Sequence, residues 1–356
     1  MPTVSIVNCP NYLQEDVDKA LAQSLKNIDF HFNAGDKVLL KPNILMAKKP
    51  EFAVSTHPSV VEAVCKILKE NGCEIIIAES SGWNTENGFT VSGIRAVGEK
   101  YGAKIIALEK QRIIEKNIEG KVLKTLKTTD IMDFPDYIIN LPKMKTHALT
   151  GITGAVKNIF GLVPGKTKPL YHVKGRTKAL FGELLIDIYE YYKPMIKLNI
   201  MDAIVGMEGE GPGNGEPKNT GLLIASTDAV ALDMIQAKIM GFNTEDVPYL
   251  KSALKRGYTS EIKMIGDKIP NIKYVPAGNQ KGISRFVSTA KSYLIKSSAL
   301  IPEVDKTKCV KCSICAKNCP VKCITLEPYP TFDRKICIKC YCCHEHCPEG
   351  AIFLKK

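Results

Sequence analysis

Ten of the thirteen cysteines lie between Cys309 and Cys347, and the other three (Cys9, Cys65, Cys73) are scattered over the preceding chain. A disulfide-stapled secreted protein would not segregate its thiols in this way. The pattern points to metal ligation in a reducing compartment. Within the segment, Cys309-x-x-Cys312-x-x-Cys315-x-x-x-Cys319-Pro320 recurs 28 residues later as Cys337-x-x-Cys340-x-x-Cys343-x-x-x-Cys347-Pro348. Zinc sites usually draw on separated cysteine pairs. Two repeated four-cysteine runs, each closed by Cys-Pro, fit iron–sulfur ligation instead.

Residues 303–356 resemble the two-cluster bacterial-type ferredoxin family throughout. The resemblance implies two [4Fe–4S] clusters in which the fourth cysteine of each run crosses to the other cluster. Cys309, Cys312, Cys315 and Cys347 would hold one cluster, and Cys337, Cys340, Cys343 and Cys319 the second. Cys323 and Cys342 are left over and read as small buried packing groups. His344 and His346 flank ligands, but all eight thiolate positions are already filled, which argues against a Rieske-type role.

Residues 1 to about 280 alternate strand-like and helix-like runs. Lys37-Val38-Leu39-Leu40 and Glu74-Ile75-Ile76-Ile77-Ala78 are buried-type strands, and residues 58–70 have helical spacing with Pro58 at the first turn. Further helices are expected at 16–28, 90–101, 149–160, 176–192 and 228–240, and further strands at 104–108, 137–141, 198–205 and 221–225. This is an α/β pattern: a mostly parallel sheet covered by helices, followed by a small C-terminal α+β ferredoxin-type domain. The domains predicted are 1–280, a linker helix at 281–302, and 303–356. The glycine-rich stretch 206–221 reads as a mobile loop.

The formal charge is +12, a surplus that favours an anionic partner. Between Asp136 and Glu183 no acidic residue occurs, while eight lysines and arginines do. Ligands of open α/β sheets bind outside the carboxyl ends of the strands. The segments Lys41-Pro42-Asn43, Ser55-Thr56-His57-Pro58 and Asn140 to His147 would converge there. Gly151 to Asn158 is expected to open a helix whose N–H groups favour an anion. Lys41, Asn43, Lys145, Lys157 and Asn158 are thus the candidate anion-binding residues, with His147, His57 and Lys143 as candidate catalytic residues. Gly161 to Thr167 imitates a phosphate-binding loop, but it has three residues between its glycines where four are needed and does not follow a strand.

Lys41-Pro42-Asn43, Ser55-Thr56-His57-Pro58, Leu141 to His147, Gly154-Ala155-Val156-Lys157-Asn158 with Gly161, and Asp228 to Asp233 resemble the family known as domain of unknown function 362. That resemblance spans about residues 37–240. It implies an architecture, in some members with a ferredoxin module, and no reaction.

The function expected is electron transfer: low-potential electrons pass through the two clusters to an anionic substrate, cofactor or redox partner protein at the basic edge of the α/β domain. Such a protein would be an anaerobic iron–sulfur oxidoreductase. Two other readings stay open, a carrier whose α/β domain only docks a partner and a non-redox enzyme with structural clusters. A nucleic-acid partner is disfavoured, because the basic stretch lacks interleaved aromatics. No apolar run is long enough to span a membrane, and the amino-terminal residues lack a basic leader, so a cytoplasmic location is expected.

Overall fold

The structure is a computed structural model that describes residues 1–81, 84–278 and 300–355. Residues 281–299 of the expected linker helix lie outside the described residues. Residues 301 and 302, assigned to that linker, already belong to a strand of the cysteine-rich module.

The strands in chain order are β1 (Thr3–Asn8), β2 (Lys37–Pro42), β3 (Glu74–Glu79), β4 (Lys104–Ala107), the hairpin β5 (Ile113–Asn117) and β6 (Thr125–Thr129), β7 (Tyr137–Leu141), β8 (Lys143–His147), β9 (Gly151–Thr153), β10 (Ile196–Glu208), β11 (Glu216–Ser226) and β12 (Lys263–Gly266). The central sheet runs β12-β1-β11-β10-β7-β2-β3-β4, with β8 and β9 attached beside β10. The run from β10 through β7, β2 and β3 to β4 is parallel, whereas β11 is antiparallel to both β10 and β1. This is an α/β fold with a mostly parallel sheet.

Alternate residues of each strand point to opposite faces, and both faces are covered. Val38, Leu40, Ile75, Ile77 and Ile139 pack with α1 (Gln14–Asn27) and α2 (Pro58–Glu70), whereas Leu39, Ile76, Ala78 and Ile138 belong to a second core. The next helices are α3 (Thr85–Val91), α4 (Ile94–Lys100), α5 (Ala155–Asn158), α6 (Lys168–Lys174), α7 (Lys178–Tyr192), α8 (Ala229–Met240) and α9 (Pro248–Lys255). α7, α8 and α9 close the second face. Their Leu184, Ile188, Leu232, Ile235 and Leu250 are buried.

Three sequence expectations change. The helix expected at 90–101 is two short helices broken at Ser92-Gly93, where Gly93 has φ +79°. The helix expected at 149–160 is instead strand β9 and the four-residue α5, followed by a 3-10 turn. The expected mobile loop 206–221 is mostly strand, since β10 ends at Glu208 and β11 begins at Glu216. Its glycines answer to close approach: a Cβ on Gly213 would lie 2.8 Å from Met46 Cε, and one on Gly215 2.2 Å from the Glu208 carbonyl oxygen.

The module is small. β13 (Ile301–Val304) pairs with β16 (Ile352–Lys355), and β14 (Ile324–Leu326) pairs with β15 (Pro330–Phe332). Each cysteine run leads into a one-turn helix, α10 (Ile314–Lys317) or α11 (Cys342–Glu345). Among the described residues, hydrogen bonds from Lys48 and Asn214 clamp the module to the large domain. Lys48 Nζ donates to the Pro348 carbonyl at 2.6 Å, and Asn214 Nδ2 donates to the carbonyls of His344 (3.3 Å) and Cys347 (3.2 Å).

Candidate functional site

The eight repeated cysteines surround two separate cavities. One is lined by Cys309, Cys312, Cys315 and Cys347, the other by Cys319, Cys337, Cys340 and Cys343 together with the left-over Cys323, whose Sγ lies 3.5 Å from Cys319 Sγ. The backbone repeats with the sequence. Lys311 and Ser313 in the first run and Lys339 and Tyr341 in the second all have positive φ, between 55° and 63°. A left-handed residue with a side chain is unfavourable. Two such residues per run are needed to curl so few residues around one cavity. The Ala351 N–H donates to Cys347 Sγ at 3.2 Å, and the Cys323 N–H to Cys319 Sγ at 3.4 Å. Among the described residues no group of three or more His, Cys, Asp or Glu side chains closes around a single metal ion. Four thiols line the first cavity and five the second, and two of them already accept backbone N–H groups, so each cavity offers the number of thiolates that one four-iron cluster would take.

A third cavity lies where the module meets the carboxyl ends of β2 and β3. Its walls come from Asn43, Glu79, Ser80, Lys145, Lys157, Asn158, Phe160, Lys168 and His172 of the large domain and from Asn318, Cys342, Glu345 and His346 of the module. It therefore joins the basic stretch to the turn that carries Cys340 and Cys343.

Four of the expected anion-binding residues are here. Lys145 Nζ donates to Asn43 Oδ1 at 2.8 Å and to the Val54 carbonyl at 2.7 Å. Asn43 Nδ2 donates to Asn158 Oδ1 at 2.9 Å, and Asn158 Nδ2 reaches Asn140 Oδ1 at 2.8 Å. Lys157 has no hydrogen-bond partner among the described residues. Its ammonium lies 6.0 Å from the Phe160 ring centre, with that of Lys168 at 5.6 Å. Lys168 Nζ also donates to the Ser80 carbonyl.

The fifth, Lys41, is turned to another use. It is fully buried and paired with Glu79, and it donates to the Pro42 carbonyl at 2.8 Å. Gly161 must be glycine beside this pair, because a Cβ there would stand 2.2 Å from Glu79 Oε1. The anion expected at the start of α5 is the protein's own. Asp233 accepts the N–H groups of Ala155 and Val156, the latter at 3.0 Å.

The candidate catalytic residues lie outside this lining, which corrects the expectation that they point into one cleft. Lys143 is buried with its Nζ 2.7 Å from Asp202 Oδ2 and 2.8 Å from the Tyr12 hydroxyl. Asp202 further accepts from the Tyr12 hydroxyl at 2.8 Å and the His57 N–H at 2.9 Å. His57 stacks on Tyr12 with ring centres 3.6 Å apart and caps α2, its Nδ1 accepting from the Ser59 N–H at 3.2 Å. His147 is buried at the module contact. Its Nδ1 accepts the Leu149 N–H at 3.1 Å, which leaves the proton on Nε2, and Nε2 lies 3.3 Å from Glu345 Oε1.

Burial, opposed by Asp202 and aided by Lys143, pushes the His57 pKa down to about 4. In the unfolded chain a histidine titrates near 6.5, so between about pH 4 and 6.5 the unfolded chain binds the extra proton. Stability is then lost as pH falls through that window and is unchanged above it. We expect the urea midpoint of the protein to fall less steeply over this range in His57→Asn, and parallel curves would rule out this role.

The sequence did not single out Lys168, His172, Glu345 or His346 as members of the anion site. The first two follow the segment that imitates a phosphate-binding loop, which here wraps the cavity through Gly161 and Gly165 while Lys166 is exposed. Burial depresses Lys168 to about 8 and His172 to about 3. It also drives Lys157 below the ordinary lysine range and Lys145 well below it, and lifts Glu345 to about 7 against the pull of Lys157 and Lys145. Cys342 is buried, as expected for packing, and also lines the cavity. No described helix is long and apolar enough to cross a membrane.

Comparison with known proteins adds three findings. A thylakoid-associated protein of Synechocystis sp., sll1697, is 32% identical over 241 residues, covering 67% of this chain and 74% of that protein. The lactate racemase apoprotein of Thermoanaerobacterium thermosaccharolyticum superposes with a TM-score of 0.42 at 11% identity, over 69% of this chain. The chain spans 57% of the racemase, and a likeness this loose carries no argument about chemistry. The model of the family described as Domain of unknown function (DUF362) matches residues 38–238. That match covers more than half of the chain, its most basic strand ends included, and the chain belongs to this family.

Proposed function

We propose that this is an iron–sulfur electron-transfer protein that delivers low-potential electrons to a small anionic molecule held between its two domains. Cys309, Cys312, Cys315 and Cys347 would hold one [4Fe–4S] cluster of a ferredoxin-type module, and Cys319, Cys337, Cys340 and Cys343 the other. Such clusters supply one-electron transfer. A cytoplasmic, reducing location belongs to the same proposal.

The observation that carries this reading is the shared cavity. Lys145, Lys157 and Lys168 of the large domain face Cys342, the neighbour of Cys343, across one cavity. A body that only docked a partner would have no need of buried ammonium groups at that place. Asn43, itself held by Asn158, keeps Lys145 in position, and partial burial of the site strengthens the charge interactions inside it.

The test uses protein purified anaerobically and reduced with dithionite. Small molecules released by denaturing a second portion are identified by mass spectrometry and added back. We expect a released anion to bleach the reduced-cluster EPR signal of the intact protein, and Lys145→Met to slow that decay at least tenfold. A signal that persists with every released anion and decays only with another redox protein would leave a carrier instead.

A further inference from the structure

We infer that the cavity between the domains is a site for a small dianion, one phosphate group or a short dicarboxylate. This rests on the reading that a small anion is held between the two domains, and it names that anion's charge class.

The first ground is charge. Three ammonium groups, those of Lys145, Lys157 and Lys168, border the cavity. Of its two carboxylates, Glu79 is already matched by Lys41, and its Oε1 accepts the Ser80 N–H at 2.8 Å. Only Glu345 remains to answer three cations, and it stands beside His147. Buried charge is retained where something compensates it. One negative charge from a ligand would still leave a cation unmatched, and two would balance the site. The depressed lysine pKa values have burial as their leading cause, as expected of cations short of counter-charge.

The second ground is the supply of donors. A lysine ammonium has three N–H groups. Lys145 commits two, to Asn43 and Val54, and Lys168 one, to Ser80. Lys157 commits none within the described residues. His172 Nδ1 and His346 Nδ1 are buried without a partner, and both side chains line this cavity. The donors left over exceed what a single carboxylate accepts.

The third ground is size. The cavity has a volume of about 80 Å³. At 10–15 Å³ for each water, that is room for roughly five to eight waters. Inorganic phosphate and a four-carbon dicarboxylate fill a space of that order.

The experiment titrates iron-replete holoprotein, kept anaerobic, with inorganic phosphate, succinate and acetate in a calorimeter. We expect one of the two dianions to bind at least tenfold more tightly than acetate, and the tighter of them tells a phosphate from a dicarboxylate. Lys157→Met keeps most of the length of the side chain and removes an unmatched cation, so it should fold at least as well as the parent. In that variant the iron content is expected to be unchanged, the melting temperature without ligand to rise, and dianion affinity to fall at least tenfold. Equal binding of acetate, no saturable binding of either dianion, or a Lys157→Met variant that binds like the parent would overturn the inference. Saturable dianion binding to protein whose reduced clusters no anion reoxidises would uphold it and remove the electron-transfer reading alone.

Discussion

Replacing Cys347 by alanine is expected to cost the protein about half its iron, leaving about four irons per chain where the intact protein carries about eight. The irons lost should be those held by Cys309, Cys312 and Cys315, although Cys347 lies ten residues or fewer from Cys337, Cys340 and Cys343 in sequence. The reason is spatial: Cys347 lines the cavity of the first run, and Cys319 that of the second. Double substitutions make the test sharp. Cys309→Ala added to Cys347→Ala should remove little more iron, because both act on one cavity. Cys337→Ala added to Cys347→Ala should remove nearly all of it. The reverse pattern would show that each run holds its own cluster. Cys323→Ala and Cys342→Ala should keep the full complement.

Lys143→Ala is expected to destabilise the protein by about 3–5 kcal/mol in chemical denaturation, the range for breaking a buried ion pair from one side. Lys143 and Asp202 are almost wholly excluded from solvent. Losing the ammonium leaves Asp202 charged in the interior, with the Tyr12 hydroxyl and the N–H groups of His57 and Ile204 as its remaining donors. The double variant Lys143→Met/Asp202→Leu removes both charges and should recover most of the loss. Dianion affinity should stay within a factor of about three of the parent for folded Lys143→Ala, since Lys143 does not line the cavity. A fully stable Lys143→Ala with lost ligand binding would return Lys143 to the site. The contrast with Lys157→Met is the useful one, because these are two lysines of one basic stretch, one matched by a carboxylate and the other not.

That contrast marks what the sequence could reveal. Apolar runs such as Glu74–Ala78 and the period of residues 58–70 placed β3 and α2 almost to the residue, because buried parallel strands and amphipathic helices carry their own signatures. Nothing in the run Lys143 to His147 announces a strand. That run is a polar strand attached beside β10, and its polar side chains are buried because each meets a partner from elsewhere. Lys143 depends on Asp202, 59 residues on, and Lys145 on Asn43, 102 residues back. No local pattern announces such pairings. Glu345 and His346 join the cavity only because the module docks on the strand ends, a tertiary fact with no sequence period behind it. The acid-free stretch did indicate a basic site. Which of its lysines are matched inside the protein could be read only from the fold.

Iron and acid-labile sulfide counted in anaerobically purified protein, alongside the EPR spectrum after dithionite reduction, decide whether two clusters are present. About eight of each per chain and a spectrum of two interacting [4Fe–4S] centres are expected. Colourless protein with one or two zinc ions in place of iron would contradict their presence.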